Sequence, residues 1–190
     1  EGADRADLHL PGRQEALVRR VTAANPRTVL VLNAGSPLAL GGWADAVPAV
    51  LVAGYPGQAF GDALGDVLSG AVEPGGRLTS AWPRSVSAHP SALSWPGDGD
   101  RLRYGEGVFL GQRGLDRLGL APAFPLGHGL GYTRWRLGAA GGRLTETGVE
   151  LEVELENLGE RDGATVLQVY VVPPGRCGPR PARQLCGFRR

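Results

Sequence analysis

The sequence predicts an α/β fold: an open, mostly parallel sheet with flanking helices, followed by a truncated antiparallel β-sandwich. Three observations carry that expectation. TVLVLN (28–33) and AVLVA (49–53) are unbroken β-branched and leucine runs of strand length, the pattern of strands covered on both faces in a parallel sheet. Stretches of helical periodicity alternate with these runs, and strand–helix alternation builds open sheets with crossover connections. Beyond residue 143 the texture changes, and VELEVELEN (149–157) alternates strictly between apolar and polar residues, as a half-exposed antiparallel strand does.

The elements follow in order. GRQEALVRRVTAANP (12–26) places Ala16, Leu17, Val21 and Ala24 on one helical face, with Arg13, Arg19 and Arg20 largely away from it and Asn25-Pro26 as the stop. The first strand run follows, then a short helix around Trp43, then the second strand run. YPGQ (55–58) turns the chain into a helix whose apolar stripe is Phe60, Leu64, Val67 and Leu68. After the EPGG turn (73–76), GRLTSAW (76–82) reads as a third strand. Residues 83–132 are rich in proline, glycine and aromatics with little periodicity, which predicts long ordered loops and a hairpin near GVFLGQRG (107–114). GATVLQVYVVPP (163–174) and RQLCGFRR (183–190) complete the set as further strands of the sandwich.

Composition narrows the function. The 190 residues are 42% hydrophobic and 21% charged with a net charge of +1, ordinary for a globular chain large enough to bury a core. The basic residues are scattered, so neither nucleic acid nor an anionic membrane is expected as a partner. Every basic residue is arginine, and lysine, isoleucine and methionine are absent, which reads as coding bias rather than physical adaptation. The missing methionine predicts a piece of a longer polypeptide. No apolar run approaches the roughly 18 residues of a membrane span. Cys177 and Cys186 are expected as two thiols, with pairing open, and neither CxxC nor histidine-ligand spacing occurs. A soluble chain follows, cytoplasmic or secreted, with the balance toward the cytoplasm.

Several polar residues stand where chemistry could occur. Asn33 ends the first strand and Tyr55 follows the second, at the carboxyl edge where α/β sheets meet ligands. Asn33 could instead cap the turn through Ser36-Pro37, and Tyr55 could either line a sugar pocket or pack on its loop. GEG (105–107) and GHG (127–129) hold Glu106 and His128 between glycines, a setting of tight turns with side chains bonded to backbone. His9, between Leu8 and Leu10, reads as a strand or loop residue rather than a ligand. GDALG lacks phosphate-loop spacing, so no nucleotide is expected.

Five motifs in fixed order, EGADR with LHLPG, ANPRTVLVLNAGSP, YPGQ with GDALGDVLSGAVEPGGRL, RYGEGVFLG and FPLGHGLGYT, resemble the C-terminal region of glycoside hydrolase family 3, bacterial β-glucosidases above all. The resemblance implies that residues 1–135 are the C-terminal part of the family's α/β sandwich domain and residues 136–190 the start of a fibronectin type III-like β-sandwich. It implies a retaining exo-β-glycosidase acting on terminal β-D-glucosyl residues. An N-terminal barrel of the same polypeptide, absent here, carries the aspartate nucleophile. The glutamate of EGxDR maps onto Glu1 as general acid/base, the alternative being a solvated Glu1 with the acid further upstream, and Asp4 with Arg5 either shape the loop or are solvated at the surface. A β-glycoside is then the substrate, no cofactor is needed, and this chain alone is expected to be inactive. Two departures stand out: Ala59-Phe60 after YPGQ, and GQRGLD (111–116) in place of GYRYYD. A β-xylosidase or other β-glycosidase, or a non-catalytic carbohydrate-binding or structural module, is the alternative.

Overall fold

The computed structural model describes residues 5, 7–175 and 179–190. In chain order these form α1 (Gln14–Ala24), β1 (Val29–Leu32), β2 (Ala49–Val52), α2 (Phe60–Ser69), α3 (Gln112–Leu118), β3 (Trp135–Thr145), β4 (Gly148–Asn157), β5 (Leu167–Val171) and β6 (Gln184–Arg189). Short 3-10 turns lie at Ala44–Ala46, Val86–Ala88 and Pro90–Leu93. The fold is α/β with few helices and small sheets. The chain divides into two compact units, and each is described by itself.

The first unit comprises the chain up to Gln58, Leu78–His128 and Gln168–Phe188. Its centre is the parallel pair β1–β2, in register from Val29↔Ala49 to Leu32↔Val52. The ladder runs one bond further, from the Ala53 amide to the Leu32 carbonyl at 2.8 Å. Leu32, Leu38, Leu40, Trp43, Val47 and Trp82 bury themselves against this pair. Trp43 is 1% exposed and its indole N–H donates to the Ala39 carbonyl at 3.3 Å, so the one polar atom of this large side chain is satisfied. The 3-10 turn Ala44–Ala46 stands where the sequence places a short helix.

α1 forms where expected but buries a different stripe. Glu15, Val18 and Thr22 are its partly buried positions, and Val18 packs on the core, whereas Leu17 is 60% and Val21 44% exposed. The spacing of three and four residues holds for both stripes, so periodicity alone could not tell which of two adjacent faces docks.

Two expectations for this unit are corrected. GRLTSAW is not a strand. Its backbone bends at Thr79 and Ser80 and exchanges hydrogen bonds with residues 123–128: Leu78 N–H to His128 O (2.9 Å), Gly127 N–H to Leu78 O (2.7 Å), Trp82 N–H to Phe124 O (2.8 Å) and Ala123 N–H to Trp82 O (2.9 Å). The partner segment contains Pro125, which donates no ladder bond, so pairing stops at the single bridge Trp82↔Phe124. Near GVFLGQRG there is no hairpin but helix α3, entered through Gly111 at φ +54° and ended by Gly119 at φ +65° in the left-handed region that glycine adopts without penalty. Of the glycines in that segment, Gly111 is the N-cap of α3 and Gly114 lies inside it. Leu115, 1% exposed, anchors α3. β5 and β6, both expected as strands, pair with each other.

The second unit comprises Ala59–Arg77, Gly129–Leu167 and Arg189–Arg190. α2 turns Phe60, Leu64 and Val67 inward as its pattern predicts, while Leu68 stays 50% exposed. β3 and β4 form an antiparallel hairpin from Trp135↔Asn157 to Thr145↔Gly148, with a register irregularity between Leu137 and Ala140. β4 is the expected alternating strand; β3, in the glycine-rich WRLGAAGGRLT, was not foreseen. The GYT of FPLGHGLGYT fastens the hairpin to α2: the Tyr132 hydroxyl donates to the Val67 carbonyl at 2.6 Å. Thr133, 7% exposed, bonds to Asn157 Oδ1, and Asn157 Nδ2 donates to the Arg161 carbonyl at 2.7 Å. No helix of the described residues is long and apolar enough to cross a membrane.

Candidate functional site

Because β1 and β2 are parallel and in register, the loops Asn33–Pro37 and Ala53–Gln58 leave the same edge of the sheet. That carboxyl edge is where ligands meet such sheets, since no side chain of the sheet itself blocks it. Tyr55 stands there 86% exposed. The distal half of its ring lies against the backbone of Gly35, close enough that a Cβ at position 35 would overlap the ring. The packing reading of Tyr55 is thus met, with the distal end of the ring against the β1 loop and the rest of the side chain exposed. Asn33 is exposed and its side chain makes no hydrogen bond among the described residues, so the turn cap expected of it is not formed.

The opening segment is tied beside this edge. The Leu8 carbonyl accepts the Ala39 amide at 2.8 Å, just past the β1 loop, and Leu10 packs on the core. Arg5 donates to the His9 carbonyl, the Asp7 carboxylate accepts the His9 amide at 2.8 Å, and the His9 imidazole meets Glu15 at 3.2 Å. His9 is thus a loop residue, as expected. Glu1 and Asp4 lie outside the described residues, and so does Cys177. Cys186 is a free thiol whose Sγ donates to the Val169 carbonyl at 3.3 Å.

The glycine-flanked polar residues serve the fold. The His128 ring stacks on Phe124 with centroids 4.7 Å apart. Glu106 Oε2 accepts the Ser94 hydroxyl at 3.0 Å. His89, not singled out in the sequence, caps the turn Pro90–Leu93: its Nδ1 accepts the Ser91 amide at 3.2 Å and meets the Ser91 hydroxyl at 2.5 Å. A nitrogen that accepts an N–H carries no proton, and burial pushes this imidazole below its usual range while Glu106 pulls the other way.

Two concavities occur in the loop-rich stretch. One, of about 490 Å³, is bordered by Gln112, Asp116, Pro122 and Arg183. Here Arg183 grips Asp116 through two bonds of 2.8 and 3.2 Å, and Gln112 adds a third of 2.7 Å. Those bonds hold the Asp116 carboxyl below its usual range. The other, of about 470 Å³, lies within Pro90–Glu106 and includes Trp95. No group of acidic, histidine or cysteine side chains among the described residues could hold a metal ion.

Comparison with known proteins agrees with the motifs. The model of the "Glycosyl hydrolase family 3 C-terminal domain" matches residues 1–132. A "Beta-glucosidase" of Rhizobium radiobacter is 41% identical over 197 residues, covering 100% of this chain and 24% of that protein. An "Exo-alpha-(1->6)-L-arabinopyranosidase" of Bifidobacterium longum is 38% identical over 191 residues, covering 100% of this chain and 25% of that protein. The crystal structure of a GH3 β-glucosidase from Bifidobacterium adolescentis superposes with a TM-score of 0.93 at 35% identity, over 100% of this chain and 28% of that one. The chain spans about a quarter of the length of the curated relatives it matches.

Proposed function

The chain belongs to glycoside hydrolase family 3, and we propose that it is the acid/base-bearing portion of a retaining exo-β-glycosidase of the β-glucosidase type. The observation that supports this most is the family match, which begins at residue 1 and so takes in EGADR. Residues 1–135 then act as the C-terminal part of the α/β sandwich domain, with its sheet mostly parallel, and 136–190 as the start of a fibronectin type III-like sandwich. The barrel that holds the nucleophile lies elsewhere in the longer polypeptide.

Retaining hydrolysis uses two carboxyl groups about 5–5.5 Å apart. An aspartate of the barrel attacks the anomeric carbon and the glycosidic C–O bond breaks. Glu1 gives its proton to the leaving oxygen, and the glycosyl–enzyme ester forms. In the second half the Glu1 carboxylate takes a proton from water as that water attacks the anomeric carbon and releases the aspartate. To hold its proton at neutral pH, Glu1 requires burial or a nearby negative charge when the barrel covers it. Gly2 leaves room for the loop to approach the barrel. Tyr55 offers its exposed ring to the sugar, while the distal end of the ring packs on Gly35. Two carboxyl groups suffice for the reaction, so no cofactor is called for.

The test compares the full-length polypeptide, its Glu1→Gln variant and the isolated chain on phenyl β-glucoside, whose poor leaving group needs protonation. The full-length enzyme turns over, the variant loses about 10²–10⁴ in kcat, and the isolated chain is inert. Near-normal turnover by Glu1→Gln removes Glu1 from the mechanism, and an inactive full-length enzyme favours a carbohydrate-binding or structural module. A second reading keeps the chemistry and changes the sugar: the Bifidobacterium longum relative is named for an arabinopyranoside. An aryl xyloside or arabinopyranoside hydrolysed faster than the glucoside selects it.

A further inference from the structure

We infer that the groove between Ser94 and Glu106 is a second, non-catalytic binding site for a neutral saccharide ring. Its volume, about 470 Å³, falls within the roughly 300–1,000 Å³ of small-molecule sites. Trp95, Asp98, Arg101, Arg103 and Glu106 border it together with Ser94. Trp43 and Trp82 are fully buried, but Trp95 is 37% exposed at the edge of this hollow. An indole with an open face binds flat C–H-bearing surfaces while its N–H stays available to a polar group.

The charged groups around it define the ligand further. Two carboxylates and two guanidinium groups balance, so the groove carries no net charge and selects neither a phosphate nor a cation. None of Asp98, Arg103 and Glu106 forms a salt bridge among the described residues, and Arg101 meets only the exposed Asp100, at 3.9 Å. Apart from Glu106 Oε2, which accepts the Ser94 hydroxyl, acceptors and donors are open beside one aromatic side chain, the chemistry that a polyhydroxylated ring satisfies. Anionic and cationic ligands would leave half of these groups unmatched.

The groups are also held in place. The Asp98 and Arg101 amides and carbonyls exchange bonds of 2.8 and 3.0 Å, closing a tight turn between Gly97 (φ +98°) and Leu102. A Cβ at Gly97 would press on the Arg101 carbonyl at 2.5 Å, so only glycine fits there. The Trp95 amide donates to the Ser91 carbonyl at 3.0 Å, and Ser94 holds Glu106. Holding polar groups before the ligand arrives lowers the cost of binding it.

The choice of a saccharide probe rests on the glycosidase reading; the groove does not involve Glu1. Cellobiose is titrated into the 190-residue chain while the indole N–H signals and the amides of residues 93–106 are followed by nitrogen–proton correlation NMR. Saturable shifts are expected at Trp95 and these amides, with the Trp43 and Trp82 indoles unmoved. Sorbitol, which offers hydroxyls without a ring face, is expected to give none. Trp95→Ala and the loop variant Asp98→Asn each weaken binding by about tenfold or more. Absence of a saturable shift, an equal response to sorbitol, or undiminished binding by a folded variant overturns the proposal. Because turnover is not read, failure here leaves the catalytic reading standing, and failure of Glu1 in catalysis leaves this site standing.

Discussion

At Asp116 three hydrogen bonds converge on one carboxylate, two from Arg183 and one from Gln112. Its pKa is lowered first by the Arg183 bond. The sign of the resulting pH dependence is fixed: the folded chain holds this proton less tightly than the unfolded chain. The stabilisation is therefore present above the ordinary aspartate range and is lost as pH falls through the depressed folded value. His89 acts in the same direction from higher pH: burial keeps it neutral, so stability declines as pH drops from the usual imidazole range toward its lowered value. Urea unfolding across a pH series checks both. Asp116→Asn should flatten the dependence in the carboxylate range, leave that in the imidazole range, and cost about 1 kcal/mol at neutral pH. An unchanged acid limb would mean the contact with Arg183 contributes nothing. None of this was readable beforehand, since Asp116 and Arg183 lie 67 positions apart. The Tyr55 position was readable because a residue just past a parallel strand has one place to go.

Among the elements, β1, β2, α2 and β4 were legible because each carries its own signal: an unbroken apolar run, a helical stripe, or strict alternation. β3 carries none, as its GAAGG centre has little β preference; pairing with β4 makes it a strand. α3 was hidden by glycine. Gly114, in its middle, is buried, and a Cβ there would overlap the Phe109 carbonyl oxygen and sit 2.6–2.7 Å from the Pro90 ring. Two effects then oppose each other in Gly114→Ala. Helix propensity favours alanine by about 1 kcal/mol, but overpacking costs about 1–3 kcal/mol. The contact with the rigid proline ring should win, so a lower urea midpoint is expected. A stabilised variant would show that α3 can shift away from Pro90.

The family membership of the whole chain was legible because five motifs in order are far more specific than any one of them, and several turn out to be structural. FPLGHGLGYT pairs with residues 78–82 in one unit and ties α2 to the hairpin in the other, which is reason enough for that pattern without chemistry. Also visible at this scale is what stays uncovered: Leu137, Leu144, Val149 and Leu151 of β3–β4 are 47–86% exposed, and a two-stranded hairpin gains little stability alone. The proposed chemistry likewise requires the longer polypeptide. Its most direct test is the dependence of full-length Glu1→Gln on the leaving group. An acid that protonates the departing oxygen matters most for a poor leaving group and hardly for a good one. On cellobiose the variant should lose about 10²–10⁴ in kcat/KM, while on 2,4-dinitrophenyl β-glucoside glycosylation should stay near wild type. Equal losses on both substrates, or none on either, would contradict the assignment of Glu1.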